Sequence, residues 1–297
     1  MLSRFTKTLH LRKNKTEKSS FEFEDELKTL EEKYKRLEIT HTAGVWNRDH
    51  LKKFDVNKFR GDNIYVWQTR LHSEIDYFVS YLYAIKEDAM GLRNMLKESK
   101  SFGVEFYSFK EQDVSRDLID SIIEINYLEK LLNLSNIPNL QIIDIGAGYG
   151  RLAFRLAEAY PHVEIACVDG IPLSTCISRI YLKDYIQAKR IFVHELDQIH
   201  SIEKRKFKLA LNIHSFSEMT LDSVSAWVDF IVEKEIEYLF IIPNSSSLAL
   251  NDGTDFSWLL TNAGFEIIDT RPKYSDKDYN KFGIYPSTYF LLRKMYS

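Results

Sequence analysis

From Pro138 onward the chain repeats one pattern: a short apolar run, a turn, then a stretch with helical spacing. "LQIIDI", "VEIACV", "IFV", "KLALNI" and "EYLFII" read as five buried strands. Between them, "RLAFRLAEAY" is helical until Pro161. Pro172 sits well for the first turn of a second helix, and Leu221 to Lys234 reads as a third. Short apolar strands alternating with helices predict a parallel sheet covered on both faces. The alternation stops at the end. "FEIIDT" and "TYFLLRK" are separated by Arg271 to Ser287, which holds turn formers and no helical stripe, so this pair is expected to close the sheet in antiparallel fashion.

The first half is helical in pattern. Phe23, Leu27, Leu30, Tyr34 and Leu37 recur at four- and three-residue spacing among charges. A long aromatic-rich stretch from Tyr65 to Ser99 reads as helix again. In "VSRDLIDSIIEINYLEKLLNL", Ser115 is the expected N-cap of a helix whose face is Leu118, Ile122, Ile125, Leu128 and Leu132. The expected organisation is a tail over 1–20, a helical substrate-side domain over 21–137, and an α/β domain over 138–297. The tail carries six Lys or Arg against one Glu. It reads as solvated, with contact to a membrane surface or to a pathway enzyme as the other option.

Composition narrows the classes. With 297 residues, 44% of them hydrophobic, the chain can bury a large core. A net charge of −3 gives no global basic field, which argues against a nucleic-acid partner. No run of about 18 apolar residues is present to span a bilayer. Two cysteines in apolar surroundings, Cys167 and Cys176, fit a reducing cytoplasm.

The chemistry begins at "IIDIGAGYGRL". Gly146, Gly148 and Gly150 follow a strand and open a helix, the setting of a nucleotide-type cofactor loop. The dinucleotide fingerprint needs a third glycine where this chain has Arg151. With Asp144 in front, Asp169 ending the second strand and an antiparallel closing pair, the sequence resembles the class I S-adenosylmethionine-dependent methyltransferases. The resemblance implies a Rossmann-like, doubly wound seven-stranded sheet and S-adenosylmethionine as cofactor. It also implies cofactor contacts at Asp144, Gly146, Ala147, Gly148, Asp169, Gly170 and Ile171. Glu195, Leu196 or Asp197 would lie near the adenine.

"NIHSFSEM" follows the fourth strand, where open α/β sheets bind ligands beyond the strand ends. His214 has the reference pKa of a base near neutrality; its other reading is a cap of the next segment. Glu218 is expected to orient His214 or an acceptor hydroxyl, or else to serve as a first-turn carboxylate. Asn212 is expected at the amino acid end of the cofactor. Arg116, at a helix start, suits the cofactor's carboxylate, an acidic acceptor group, or a neighbouring carboxylate. A divalent metal held by His214, Glu218 and another carboxylate is the further option, although no full ligand set is indicated, and the Asn-Pro-Pro-aromatic loop of nucleobase amino-methylating enzymes is absent here.

Five segments together, "YVWQTR", "VSRDLIDSIIEINYL", "IIDIGAGYGRL", "NIHSFSEM" and "FGIYPSTYFLLRK", are similar to a bacterial family of sugar O-methyltransferases. That resemblance implies methylation of a sugar hydroxyl on a glycan or glycan precursor. Aromatic walls for a sugar are expected from Trp67, Tyr107, Phe109, Tyr274, Tyr279, Phe282 and Tyr285. The alternatives are methylation of another small metabolite or a peptide, and a non-catalytic binding or scaffold protein on the same fold.

Overall fold

The computed structural model describes residues 23–37, 55–62, 66 and 69–295. The basic tail over 1–20, Tyr65 and Trp67 lie outside these residues. One seven-stranded sheet organises the rest. Its strands are β1 Gln141–Ile145, β2 Glu164–Val168, β3 Ile191–His194, β4 Leu209–Ile213, β5 Tyr238–Ile242, β6 Phe265–Pro272 and β7 Thr288–Lys294, in the order β3-β2-β1-β4-β5-β7-β6. The first five run parallel, and β7 pairs antiparallel with both β5 and β6. A bulge between Ile267 and Asp269 bends β6, the edge strand.

The apolar runs become the central strands because both faces of the sheet are covered. On one face lie α2 (Glu74–Glu87), α3 (Arg116–Leu132) and α4 (Arg151–Ala159), sharing a core with Ile142, Ile165, Leu209 and Phe240. On the other lies α6 (Leu221–Glu233), packed with Ile143, Ala166, Ala210 and Leu239. Helix α5 (Pro172–Tyr181) follows β2, with Pro172 in its first turn as expected. Ser115 caps α3, its hydroxyl accepting the Leu118 N–H at 3.1 Å.

Three features depart from the sequence reading. The 65–99 stretch holds a 14-residue helix rather than a long one. It is capped by Ser73 and stopped at Asp88, after which Gly91 takes a left-handed φ of 73° before a single turn at Leu92–Met95. A short helix, Lys277–Phe282, lies between β6 and β7, started by the Asp276 cap rather than by an apolar stripe. The third concerns the crossover from β3 to β4, which carries only a 3-10 turn, Leu196–Ser201. Helix α1 (23–34) enters the core on that face through Leu30 and Tyr34, together with Val168, Cys176 and Leu196.

Candidate active site

A cavity of about 250 Å³ opens beyond the carboxyl ends of β1, β2 and β4. Its floor is the Gly146–Gly150 turn. Gly146 holds φ at 74°, and a β-carbon there would sit 2.0 Å from Ser215 Oγ, so this glycine lets the turn after β1 press against the loop after β4. Gly150 holds φ at 87° for a different reason: a β-carbon would strike Leu182 at 2.5 Å.

Two buried carboxylates face this space. Asp169 accepts the Gly148 N–H and the Ile171 N–H, each at 2.8 Å, through its two oxygens. Ser174 adds a side-chain hydrogen bond, and the carboxylate's four lone-pair sites still leave room for a further donor. Burial outweighs those two N–H groups and pushes its pKa up to about 7. Burial does the same to Asp144, also to about 7, with the Arg151 guanidinium pulling only part of the way back. A cavity wall that holds two reluctant carboxylates favours a ligand with hydroxyl donors and a positive charge.

The wall towards α3 is built from paired charges. Asp117, Asp120 and Glu124 stand at i, i+3 and i+7 on one face of that helix. Asp117 accepts from Arg60 Nη2 at 3.1 Å and from the Tyr149 hydroxyl. Asp120 accepts from Arg116 Nε at 3.1 Å and from Lys273 Nζ; burial opposes its charge, but Lys273 and Arg116 hold its pKa well below the carboxylate range. Glu124 takes a two-pronged contact from Arg151, at 2.9 and 3.1 Å. The residue that replaces the third glycine of the dinucleotide fingerprint thus anchors α4 to α3.

His214 follows β4 with a left-handed φ of 65° and its backbone N–H on Ile242 O at 2.6 Å. Its Nδ1 is buried and has no hydrogen-bond partner. Burial first, then the nearby Arg116, lowers its pKa to about 3, against the opposing pull of Asp120. The imidazole is therefore neutral near pH 7, with one nitrogen unsatisfied in the cavity wall.

Of the residues expected at the cofactor, Asp144, Gly146, Ala147, Gly148, Asp169, Gly170, Ile171 and Arg116 line the cavity, as do His214 and Glu218. Arg116 also stacks 3.9 Å over the Tyr285 ring. Glu218 accepts from Asn244 Nδ2 at 3.3 Å. Asn212 departs from expectation. It is fully buried, gives its amide N–H to Ile145 O at 2.9 Å and accepts the Phe216 N–H at 2.8 Å, so it stitches the β4 loop rather than facing the cavity.

Glu195 and Leu196 depart too, since α1 covers the end of β3. Glu195 pairs with Lys33 and Arg179, and Leu196 N–H donates to the Tyr34 hydroxyl at 3.0 Å. Burial works against the Glu195 charge, yet those two cations hold its pKa below the usual range. Most of the expected sugar-binding aromatics serve packing. Tyr274 is buried on Ser80 and Ile284, and Tyr107 and Phe109 pack against α2. Met219, Ser223 and Trp227 line the cavity without having been anticipated. Trp227 and Ser223 sit one turn apart on the inner face of α6, a periodicity that reads equally as core.

Comparison with known proteins agrees with this geometry. Residues 125–233 match the methyltransferase small domain family. The chain's own sheet is of the doubly wound α/β kind, five parallel strands closed by an antiparallel pair. A release factor glutamine methyltransferase of Flavobacterium psychrophilum is 30% identical over 78 residues, which cover 26% of this chain and 27% of that protein. The chain thus spans about a quarter of the length of that relative. Magnesium protoporphyrin IX methyltransferase of Synechocystis PCC 6803, solved with bound S-adenosylmethionine, is 14% identical, with 73% of this chain and 97% of that chain covered and a TM-score of 0.45. The [4+2]-cyclase SpnF is 13% identical, with 75% and 97% covered and a TM-score of 0.47. For the mitomycin 7-O-methyltransferase MmcR the values are 17%, 60%, 56% and 0.42. Among the described residues no group of His, Cys, Asp and Glu is arranged to hold a metal ion, and no helix is long and apolar enough to cross a membrane.

Proposed function

We propose that this protein is an S-adenosylmethionine-dependent O-methyltransferase acting on a sugar hydroxyl of a glycan or glycan precursor. The observation that carries the oxygen acceptor is His214, whose neutral imidazole has an orphaned, buried Nδ1 and lines the same cavity as Asp144 and Asp169. S-adenosylmethionine, when bound, supplies an electrophilic methyl group on a sulfonium. Asp169, already oriented by Gly148 and Ile171, suits a ribose hydroxyl, and Asp144 suits the cationic amino acid end. Arg116 suits its carboxylate.

His214 serves by accepting a hydrogen bond from the acceptor hydroxyl at Nδ1, which orients the oxygen and satisfies the orphan nitrogen. A pKa near 3 makes it a poor base towards a free hydroxyl. It suffices for an oxygen that has begun to form its third bond, since such an oxygen is strongly acidic. The proton then leaves late, with His214 as acceptor. Burial above all, helped by Arg116, Arg151 and Lys273, keeps the imidazole from being protonated in advance.

The sugar class is supported by the five-segment resemblance and by Tyr285, which backs Arg116 at the cavity. A glutamine amide, as acted on by the F. psychrophilum relative, is less well supported. The loop directly after Asn212, Ile213 to Met219, holds no proline, and the Asn212 amide is committed to backbone partners.

The test is product analysis with sugar nucleotides and glycans as acceptors, for the unaltered protein and for His214→Ala. The variant should bind cofactor within about threefold of normal and lose at least ~10²-fold in turnover. Methyl appearing on nitrogen or carbon defeats the acceptor assignment; unchanged turnover in the variant defeats the role of His214.

A further inference from the structure

The cavity takes lining residues from the ends of β1, β2 and β4 and from α6, but none from the end of β3. Helix α1 occupies that place. The Tyr34 hydroxyl accepts the Leu196 N–H at 3.0 Å and shares a hydrogen bond with Thr175 Oγ1 at 3.1 Å. Lys33 pairs with Glu195, and Arg179 of α5 joins the same Glu195 to Glu26. Thr175 adjoins Ser174, which lines the cavity, so these ties end one residue from the wall.

We propose that α1 is a clasp over the nucleoside end of the cofactor cavity, opening for cofactor entry and product exit and held shut by Tyr34 and the Lys33–Glu195–Arg179–Glu26 chain. The inference rests on the S-adenosylmethionine reading of the cavity. It follows from what holds the helix and what does not. Leu30 and Tyr34 are 1% and 2% exposed, which makes the closed form the dominant one. The ion chain is different: its members are between 14% and 43% exposed, so each pair is weak and readily exchanged with water. The Leu196 N–H is satisfied by a side-chain hydroxyl that can leave, where the groups ending β1, β2 and β4 are tied within the sheet: Gly146 and Ala147 N–H to Val168 O, and His214 N–H to Ile242 O. A segment tied in this way belongs to the low-stability end of the structure, from which gating elements are drawn.

The experiment follows cofactor exchange in the full chain. Tryptophan fluorescence, with Trp227 in the cavity wall, reports binding of S-adenosylmethionine and release of S-adenosylhomocysteine after rapid mixing. Two variants are compared, Tyr34→Phe and Lys33→Gln, with the thermal midpoint of each recorded. Tyr34→Phe should speed release about five- to tenfold, since it removes two modest hydrogen bonds and keeps the ring. Lys33→Gln should speed it about twofold. Raising salt from about 0.05 to 0.5 M should speed release in the unaltered protein and do so less in Lys33→Gln. Release rates unchanged or slowed in both folded variants make α1 a fixed wall and overturn the clasp alone. No binding of either ligand by the unaltered protein overturns the cofactor reading, and the clasp with it.

Discussion

If Asp144 and Asp169 hold the cofactor as proposed, its binding is a proton-linked event. Both are held near pKa 7 by burial, about three units above an ordinary aspartate. A folded-state pKa above the unfolded value means that the folded form holds the proton more tightly. The resulting stability is complete below pH ~4 and is lost as pH rises through about 7. At about 1.4 kcal/mol per unit, each carboxylate gives up as much as ~4 kcal/mol of apo-protein stability across that window. A cationic ligand that accepts the charged forms recovers part of it. If binding returns both groups to the ordinary range, about one proton in total leaves at pH 7, nearly two at pH 6 and about 0.2 at pH 8. Titration calorimetry in paired buffers of low and high ionisation enthalpy, at pH 6, 7 and 8, reads these numbers directly once the ligand's own ionisation is subtracted. Affinity should rise about thirtyfold from pH 6 to 7, about fivefold for each carboxylate, and only about threefold more by pH 8. Asp169→Asn should remove about half of the released protons. Proton release near zero at pH 6, or an affinity flat from pH 6 to 8, refutes the picture of two reluctant carboxylates.

Three further outcomes are expected. Arg151→Met should cost about 3–5 kcal/mol in denaturant unfolding, because it strands the buried Glu124, whereas adding Glu124→Gln to it should recover at least ~1 kcal/mol; strictly additive losses in the cycle would falsify the pairing as an energetic unit. Asn212→Ala should lower unfolding stability by about 2–4 kcal/mol, since it orphans the Ile145 carbonyl and the Phe216 N–H, and cofactor affinity measured well below the melting range should stay within about threefold. Gly150→Ala should destabilise by more than ~1 kcal/mol through both the positive φ and the Leu182 collision, detectable as a lowered thermal midpoint.

The α/β half was legible because largely apolar strands of four or five residues alternate with helices of clear apolar spacing, each a strong local signal. The closing antiparallel pair was legible for the complementary reason: Arg271 to Ser287 has no helical stripe with which to cross over. The cavity floor was equally readable, since Asp144 and the glycine turn are contiguous in the chain and Asp169 directly follows the next strand. What could not be read depends on distance. Nothing near Glu195 announces Lys33, which lies 162 positions away. Asn212 looked like a ligand-binding amide because residue type and loop position match; its two backbone partners exist only once β1 and the turn at Phe216 are assembled. Trp227 and Met219 carry the same apolar signal whether they face a cavity or a core. The 65–99 stretch was overestimated because periodicity continues past a break that Asp88 and Gly91 impose.

The placement of α1 has a consequence for how the chain comes together. It is an early helix, yet its docking surface includes Leu196, Val168 and Cys176, which a ribosome delivers more than a hundred residues later. Until then Leu30 and Tyr34 have no native surface to cover, and afterwards the apolar face beside β2 and β3 stays open until the helix returns to it. Completion of this face is thus a late, non-local event, slow relative to the hairpins and helices around it. A chain begun after residue 37 should accordingly lose solubility before it loses secondary structure. The aggregates should form through the bared β2–β3 face, and supplying residues 23–37 as a separate peptide should suppress them.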